Sequence, residues 1–203
     1  MVWGALRLFE ATGTAAYLER AKAWTAVLDA HYWDATSGGY FTAADDTTDV
    51  IVRMKPGQDD AVPSANAIQL SNLLKLTALT GDASHAERAE ALLKAFAAAI
   101  AASPVGHCGL LAASLDRDGL VEIVVRAADP IPFKKAVCSL SVPGCVQFAL
   151  PTDSRVELAS IAEQAVPSAT SMAYVCIAQV CGAPIRDPEQ LRSRLFEVRL
   201  RPH

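Results

Sequence analysis

Residues 6–24 read LRLFEATGTAAYLERAKAW, and residues 74–92 read LKLTALTGDASHAERAEAL. Laid over one another without gaps they share Leu, Leu, Thr-Gly, Ala, Glu-Arg-Ala and Ala, at an offset of 68 residues. Self-similarity at a fixed period marks a repeated supersecondary unit. Each copy runs to a Thr-Gly, where Gly13 or Gly81 can take the left-handed conformation that ends a helix. A short polar turn follows, and a second helix begins. Its apolar positions recur at i, i+3 and i+4 spacing, with Tyr17, Ala21, Trp24, Leu28 and His31 on one face in the first copy. Ala89, Leu92, Leu93 and Phe96 fall on one face in the second. Each unit is predicted to be a helical hairpin that buries its apolar face only by stacking on a neighbour.

The long connection from Asp34 to Asp60 sets the period. It holds GGYF (38–41) and DVIVRM (49–54), which read as the strands of an inserted β-hairpin near 38–55. Gly38-Gly39 supplies a permissive backbone, and AADDTTD forms the polar tip. Beyond Gly119 the pattern changes. LVEIVV (120–125), CVQFAL (145–150) and AYVCIAQV (173–180) are strand-like and alternate with predicted helices at 131–140, 154–165 and 187–197. Pro188 suits the first turn of the last helix, with Asp187 as its cap. The fold class is therefore mainly α with a smaller α/β part. Helical hairpins with the β-hairpin insertion occupy 1–117, and a small C-terminal α/β layer occupies 118–203.

Composition bounds the function. Hydrophobic residues make up 52% and charged residues 20% of 203, enough apolar material to exclude disorder. A net charge of -4 gives no electrostatic reason to bind nucleic acid. No run approaches the roughly 20 apolar residues of a membrane span. The opening MVWGALRLFEATG carries Arg7 and Glu10 in an amphipathic pattern and reads as a helix, not a secretory leader. It starts without an N-cap before Val2-Trp3, as the later part of a longer protein would. Five cysteines, an odd number without a C-x-x-C, read as buried reduced thiols in a cytoplasmic protein. Cys176 and Cys181 lie five apart. On one extended strand that spacing points them to opposite faces, which argues against a direct disulfide or a shared metal.

The ordered series W-D-x-x-x-G-G-Y-F (33–41), R-x-K-x-x-x-D-x-A-x-P-S-x-N (53–66) and L-T-G-D (79–82), with the closing AYVCIAQVCGAPIRDPEQL, resembles the thioredoxin-domain-containing proteins related to spermatogenesis-associated protein twenty. The resemblance covers nearly the whole chain and includes the Cys176/Cys181 pair. It implies a thioredoxin-like domain, upstream or on a separate chain, and an (α/α) toroid similar to N-acylglucosamine 2-epimerases and six-hairpin glycosidases, of which this chain holds part. Two glycines of the family pattern are replaced, at Arg126-Ala127-Ala128 and at Ala65.

A toroid of that kind implies a cavity sized for a small carbohydrate, lined by loops at one end. Trp33 and Tyr40 then offer ring faces and Asp34 accepts from a hydroxyl. Arg53, Lys55, Ser64 and Asn66 supply polar contacts near a helix N-terminus. Asp59 and Asp60 are the candidates for general acid/base work, with His31 as a third. The bland readings stand beside these: aromatics that pin the insertion, and Asp34, Asp59 or Asp60 as turn and helix caps. Nothing has metal-ligand spacing, and no cofactor fingerprint is present. Two functions follow: a carbohydrate-binding or carbohydrate-modifying protein, or a non-catalytic scaffold that presents the thioredoxin-like domain to protein clients. An incomplete helical array also predicts self-association through its open face.

Overall fold

The computed structural model describes residues 1–118, 120–140, 142, 144–150, 156, 158, 159, 171–178 and 180–199. The order is α1 (Val2–Thr12), α2 (Ala15–His31), α3 (Ala65–Thr80), α4 (Ala83–Ala102), α5 (Cys108–Ser114), β1 (Val121–Arg126), α6 (Ile131–Cys138), β2 (Cys145–Leu150), β3 (Met172–Ile177), β4 (Val180–Cys181) and α7 (Pro188–Arg199). The chain divides into two compact units. One comprises Met1–Leu6, Leu18–Thr77 and Asp82–Arg117; the other comprises Arg7–Tyr17, Ala78–Gly81 and Asp118–His203.

The repeat is realised as two helical pairs, α1/α2 and α3/α4. Gly13 and Gly81 both sit at φ +69°, one residue past α1 and α3, as the Thr-Gly reading requires. Asp82 caps α4 by accepting from the Ser84 amide at 2.9 Å. In α4, Ala89, Leu92 and Phe96 are buried, on the predicted face. In α2 the buried residues are Leu18, Ala21 and Thr25, so the face is turned from the predicted one: Tyr17, Trp24 and Leu28 are half-buried and His31 is exposed. Thr25 is polar and drops out of a purely apolar count. α3 is buried along its length, with Ala67, Leu70, Leu73 and Leu76 all at 2% exposure or less, as befits a central helix.

The inserted β-hairpin is not a ladder. Between α2 and α3 there is one isolated antiparallel bridge, Trp33 to Tyr40, and the Thr42 amide donates to the Met54 carbonyl at 2.8 Å. Gly38 and Gly39, at φ +76° and +81°, make the turn. The second predicted strand fails because its β-branched residues find nothing to pack against: Ile51 is 100% exposed and Val52 66%.

The second unit holds a four-stranded mixed sheet in the order β2-β1-β3-β4. β1 and β2 are parallel, with Val121 opposite Cys145, and α6 makes the crossover between them. β1 and β3 are antiparallel, with Val121 opposite Ile177. One face packs on α6 and α7 through Ile123, Val125, Phe133, Val137, Leu191 and Leu195. The other face meets the end of α1, where Phe9 and Phe148 lie 5.4 Å apart between ring centroids. All six residues of β1 are buried, Glu122 and Arg126 included, as in a strand covered on both faces. Most of the helix predicted at 154–165 lies outside the described residues.

Cysteine placement departs from expectation in two ways. Cys108 and Cys138 are exposed thiols, not buried ones. Cys176 and Cys181 form a disulfide. The strand predicted over 173–180 breaks at Ala178, which takes φ +49°, and the chain returns as β4 with Cys181 directly opposite Cys176. The odd spacing places them on opposite faces only if the strand runs straight; the reversal makes them cross-strand partners. Substituting Cys176 by Ser is expected to lower the stability of the second unit by about 2 kcal/mol, the loop-closure value for so short a ring. Urea unfolding with and without a dithiol reductant checks it, and an unchanged midpoint in both would contradict the assignment.

Candidate functional site

The nominated polar residues converge on the loop between α2 and α3, where most of them hold the backbone in place. Asp34 closes an Asx turn: Oδ1 accepts from the Thr36 amide at 2.9 Å and the Ser37 amide at 3.2 Å. Its Oδ2 accepts from Ser37 Oγ and Lys55 Nζ, both at 2.6 Å. Lys55 also donates to the Gly38 carbonyl at 2.7 Å. The Lys55 ammonium, then the Ser37 hydroxyl and the Thr36 amide, hold the Asp34 carboxyl well below the usual carboxylate range.

Asn66, at the start of α3 and fully buried, is a clasp. Its Oδ1 accepts from the Tyr40 amide at 2.8 Å, and its Nδ2 donates to the carbonyls of Tyr40 at 3.0 Å and Pro56 at 2.9 Å. Tyr40 is buried at 4% exposure, and its hydroxyl donates to Asp29 at 2.5 Å. Burial, and then the bond to the Asp29 carboxylate, push the phenol upward. Arg88 completes the group, 3.6 Å from Asp29 and 4.3 Å above the Trp33 ring, while Trp33 meets Tyr40 edge-on at 5.0 Å. Arg53 donates to the carbonyls of Ala43 at 3.0 Å and His31 at 2.9 Å, and lies 4.2 Å over Phe41.

Asp59 and Asp60 do not form a pair. Asp59 spends one oxygen on the Ser64 amide at 2.8 Å and the other on the Gly109 amide at 2.6 Å, so it ties the starts of α3 and α5 together. Ser64 in turn caps α3 by accepting from the Ala67 amide at 3.2 Å. Asp60 is exposed, and its carboxylate has no partner among the described residues.

His31 bonds Asp45 at 2.9 Å, and a ligand atom of Asp46 lies within 4.8 Å of both. The bond to Asp45 raises the imidazole pKa above its ordinary value of 6.5. The pair therefore contributes most to stability below the unfolded-state pKa, and that contribution is lost as pH rises through the raised value. NMR titration of His31 should give a midpoint above 6.5, falling back toward 6.5 in Asp45→Asn. An unchanged midpoint in that variant would remove the pair.

Beside the loop lies an open cleft of about 500 Å³, lined by Trp33, Asp34, Thr36, Ser37, Gly38 and Lys94 among others. Of the nominated residues only Trp33 and Asp34 reach it. Asp29, Arg88 and Lys94 carry structural or cleft roles that the sequence reading missed. Arg88 sits in the repeated Glu-Arg-Ala, whose recurrence was read only as helix grammar.

The remaining polar pattern lies along residues 51–55. Arg53 and Lys55 are half-buried and bonded inward, whereas Ile51, Val52 and Met54 are exposed at 100%, 66% and 62%. The loop is braced from beneath and apolar on top.

No family model matches the chain. Among curated proteins it is 31% identical to spermatogenesis-associated protein 20 of Rattus norvegicus, and 32% identical to that of Homo sapiens, over 97% and 96% of its own length. The chain is a homologue of a segment of spermatogenesis-associated protein 20. It spans about a quarter (26%) of the length of these relatives. The mouse spermatogenesis-associated protein 20 matches at 30% over the same share. The homology therefore takes in both compact units, the bracing loop and the Cys176–Cys181 hairpin together. Among the described residues no helix is long and apolar enough to cross a membrane.

Proposed function

We propose that this chain is a non-catalytic module of a spermatogenesis-associated protein 20-like protein, one that docks a thioredoxin-like domain, upstream or in trans, and presents it to protein clients. The observation that carries the reading is the loop at 51–55. Its charged side chains are consumed in bracing, and Ile51, Val52 and Met54 face solvent. Exposed apolar residues held on a rigid support are what a protein partner buries. Asp59 supports the same reading, since a carboxylate with both oxygens on backbone amides is committed to structure. In this reading the helical pairs are part of an (α/α) toroid and the protein works in the cytoplasm. The half-exposed Trp3 and Val27, at 47% and 50%, provide a surface for self-association.

The test uses a separately produced thioredoxin-like domain and calorimetric titration against this chain. Binding is expected, and Ile51→Asp should weaken it about tenfold or more with an unchanged melting temperature. Equal binding by the variant, or none by the parent, would reject the proposal.

A second reading is favoured by the cleft beside Trp33, where a ring, two hydroxyl side chains and Lys94 line one concavity. It is a carbohydrate-binding site, epimerase- or glycosidase-like in origin. Thermal-shift titration with mono- and disaccharides discriminates: a saturable rise lost in Trp33→Ala supports it, and a flat response across the panel excludes it.

A further inference from the structure

The second unit contains a separate cleft of about 420 Å³ between the end of α1, α6 and the edge strand β2. That is within the range of small-molecule sites, roughly 300–1,000 Å³. Its floor is apolar and belongs to the core: Ile123, Val125, Val137 and Phe148 are each at 4% exposure or less. Its polar groups sit at the mouth. Glu10 is nine-tenths buried and is engaged by Arg7 at 2.6 Å. Lys134 differs. Its ammonium donates to the Ala11 carbonyl, in the last turn of α1, at 2.8 Å, and that is its only hydrogen-bond partner among the described residues. An ammonium has three donors, so two remain available to solvent or to a bound acceptor. With Glu10 and Arg7 offsetting one another, the cleft carries one positive charge beside an apolar floor.

We propose that this cleft binds a small monoanionic amphiphile, a carboxylate on a compact apolar body. The carboxylate pairs with Lys134 and the body lies in the cleft at the edge of β2, beside Val137 and Phe148. A neutral ligand of the same shape would offer Lys134 at most an uncharged acceptor, a weaker bond than a carboxylate makes. A cationic one would meet like charge. One lysine, without a second cation free to form a fork, matches a single negative charge better than a phosphate dianion.

The probes are 2-naphthoate, its neutral isostere 2-naphthalenemethanol and 2-naphthyl phosphate, each titrated calorimetrically against the whole chain. The carboxylate is expected to bind about tenfold or more tighter than the alcohol, the scale of one charge-assisted hydrogen bond. Lys134→Gln should abolish that preference and Lys134→Arg should keep it. A second readout needs no variant. Cys138 lines this cleft and is exposed, and Cys108 is an exposed thiol of the other unit. Saturating 2-naphthoate should slow iodoacetamide labelling of Cys138 and leave Cys108 unchanged. Four results would overturn the proposal: equal affinity for acid and alcohol, tighter binding of the phosphate, a preference that survives Lys134→Gln, or equal labelling of Cys138 with and without the acid. If Lys134→Gln does not fold, the labelling of the parent chain decides.

Discussion

Asn66→Ala is expected to cost about 4 kcal/mol of unfolding free energy. The side chain makes three hydrogen bonds to the main chain of a different segment, and its site is fully buried. Truncation leaves the Tyr40 amide and the Tyr40 and Pro56 carbonyls without their partner, and each buried orphan costs about 1–3 kcal/mol. Against a total of roughly 5–15 kcal/mol for a domain, that is a large share. Urea unfolding followed by tryptophan fluorescence would measure it. Asn66→Asp separates the bonding from the packing, because it keeps the acceptor but turns an anion toward two carbonyls. It should be as damaging at neutral pH and should recover partly as the pH falls and the carboxyl gains a proton. A residue used only to contact ligand would leave the unfolding midpoint where it was in both variants, and that result would defeat the clasp assignment.

Gly13→Ala is expected to cost about 3 kcal/mol, from two independent causes. At φ +69° an L side chain is disfavoured by roughly 1–2 kcal/mol. The new methyl would also stand 2.2 Å from the Ala149 carbonyl oxygen on β2, a contact that only backbone movement can relieve. Gly4→Ala, within α1, is the control. Nothing lies within 4 Å of its added carbon, so it should be neutral or stabilise by up to about 1 kcal/mol. Thermal unfolding of the two variants side by side distinguishes them. Equal melting temperatures would show that the α1–α2 turn tolerates a side chain and does not press on β2.

The helices were legible because each is encoded locally. The Thr-Gly stop, the Asp82 cap and the 3.6-residue spacing of Ala89, Leu92 and Phe96 all act within a turn or two of chain. The strands β1 and β2 were legible for a related reason, since short segments dominated by apolar residues carry a local strand signal. The loop was not. DVIVRM has strand composition, yet its conformation is set by where Arg53 and Lys55 find acceptors, at His31, Ala43, Asp34 and Gly38. Those acceptors are distant in sequence, and propensity carries no information about them.

The same division applies to the sites. The W-D-x-x-x-G-G-Y-F and D-x-A-x-P-S-x-N series identified residues that matter, but not what they touch. Asp34 and Asp59 have the chemistry of catalytic carboxylates in any sequence. Only the fold places Lys55 on one of them and the Ser64 and Gly109 amides on the other. A carboxylate becomes a cap or an acid according to what surrounds it. Cys176 and Cys181 make the point most sharply. Their separation is a fact of the sequence, and whether it divides them or joins them turns on the reversal after Ile177, where Ala178 takes φ +49°. Sequence alone determined the helices of the repeat, the parallel strands β1 and β2 and the homology. Tertiary structure decided every pairing across the chain, because hydrogen bonds and disulfides depend on distances that folding sets, not on spacing along the backbone.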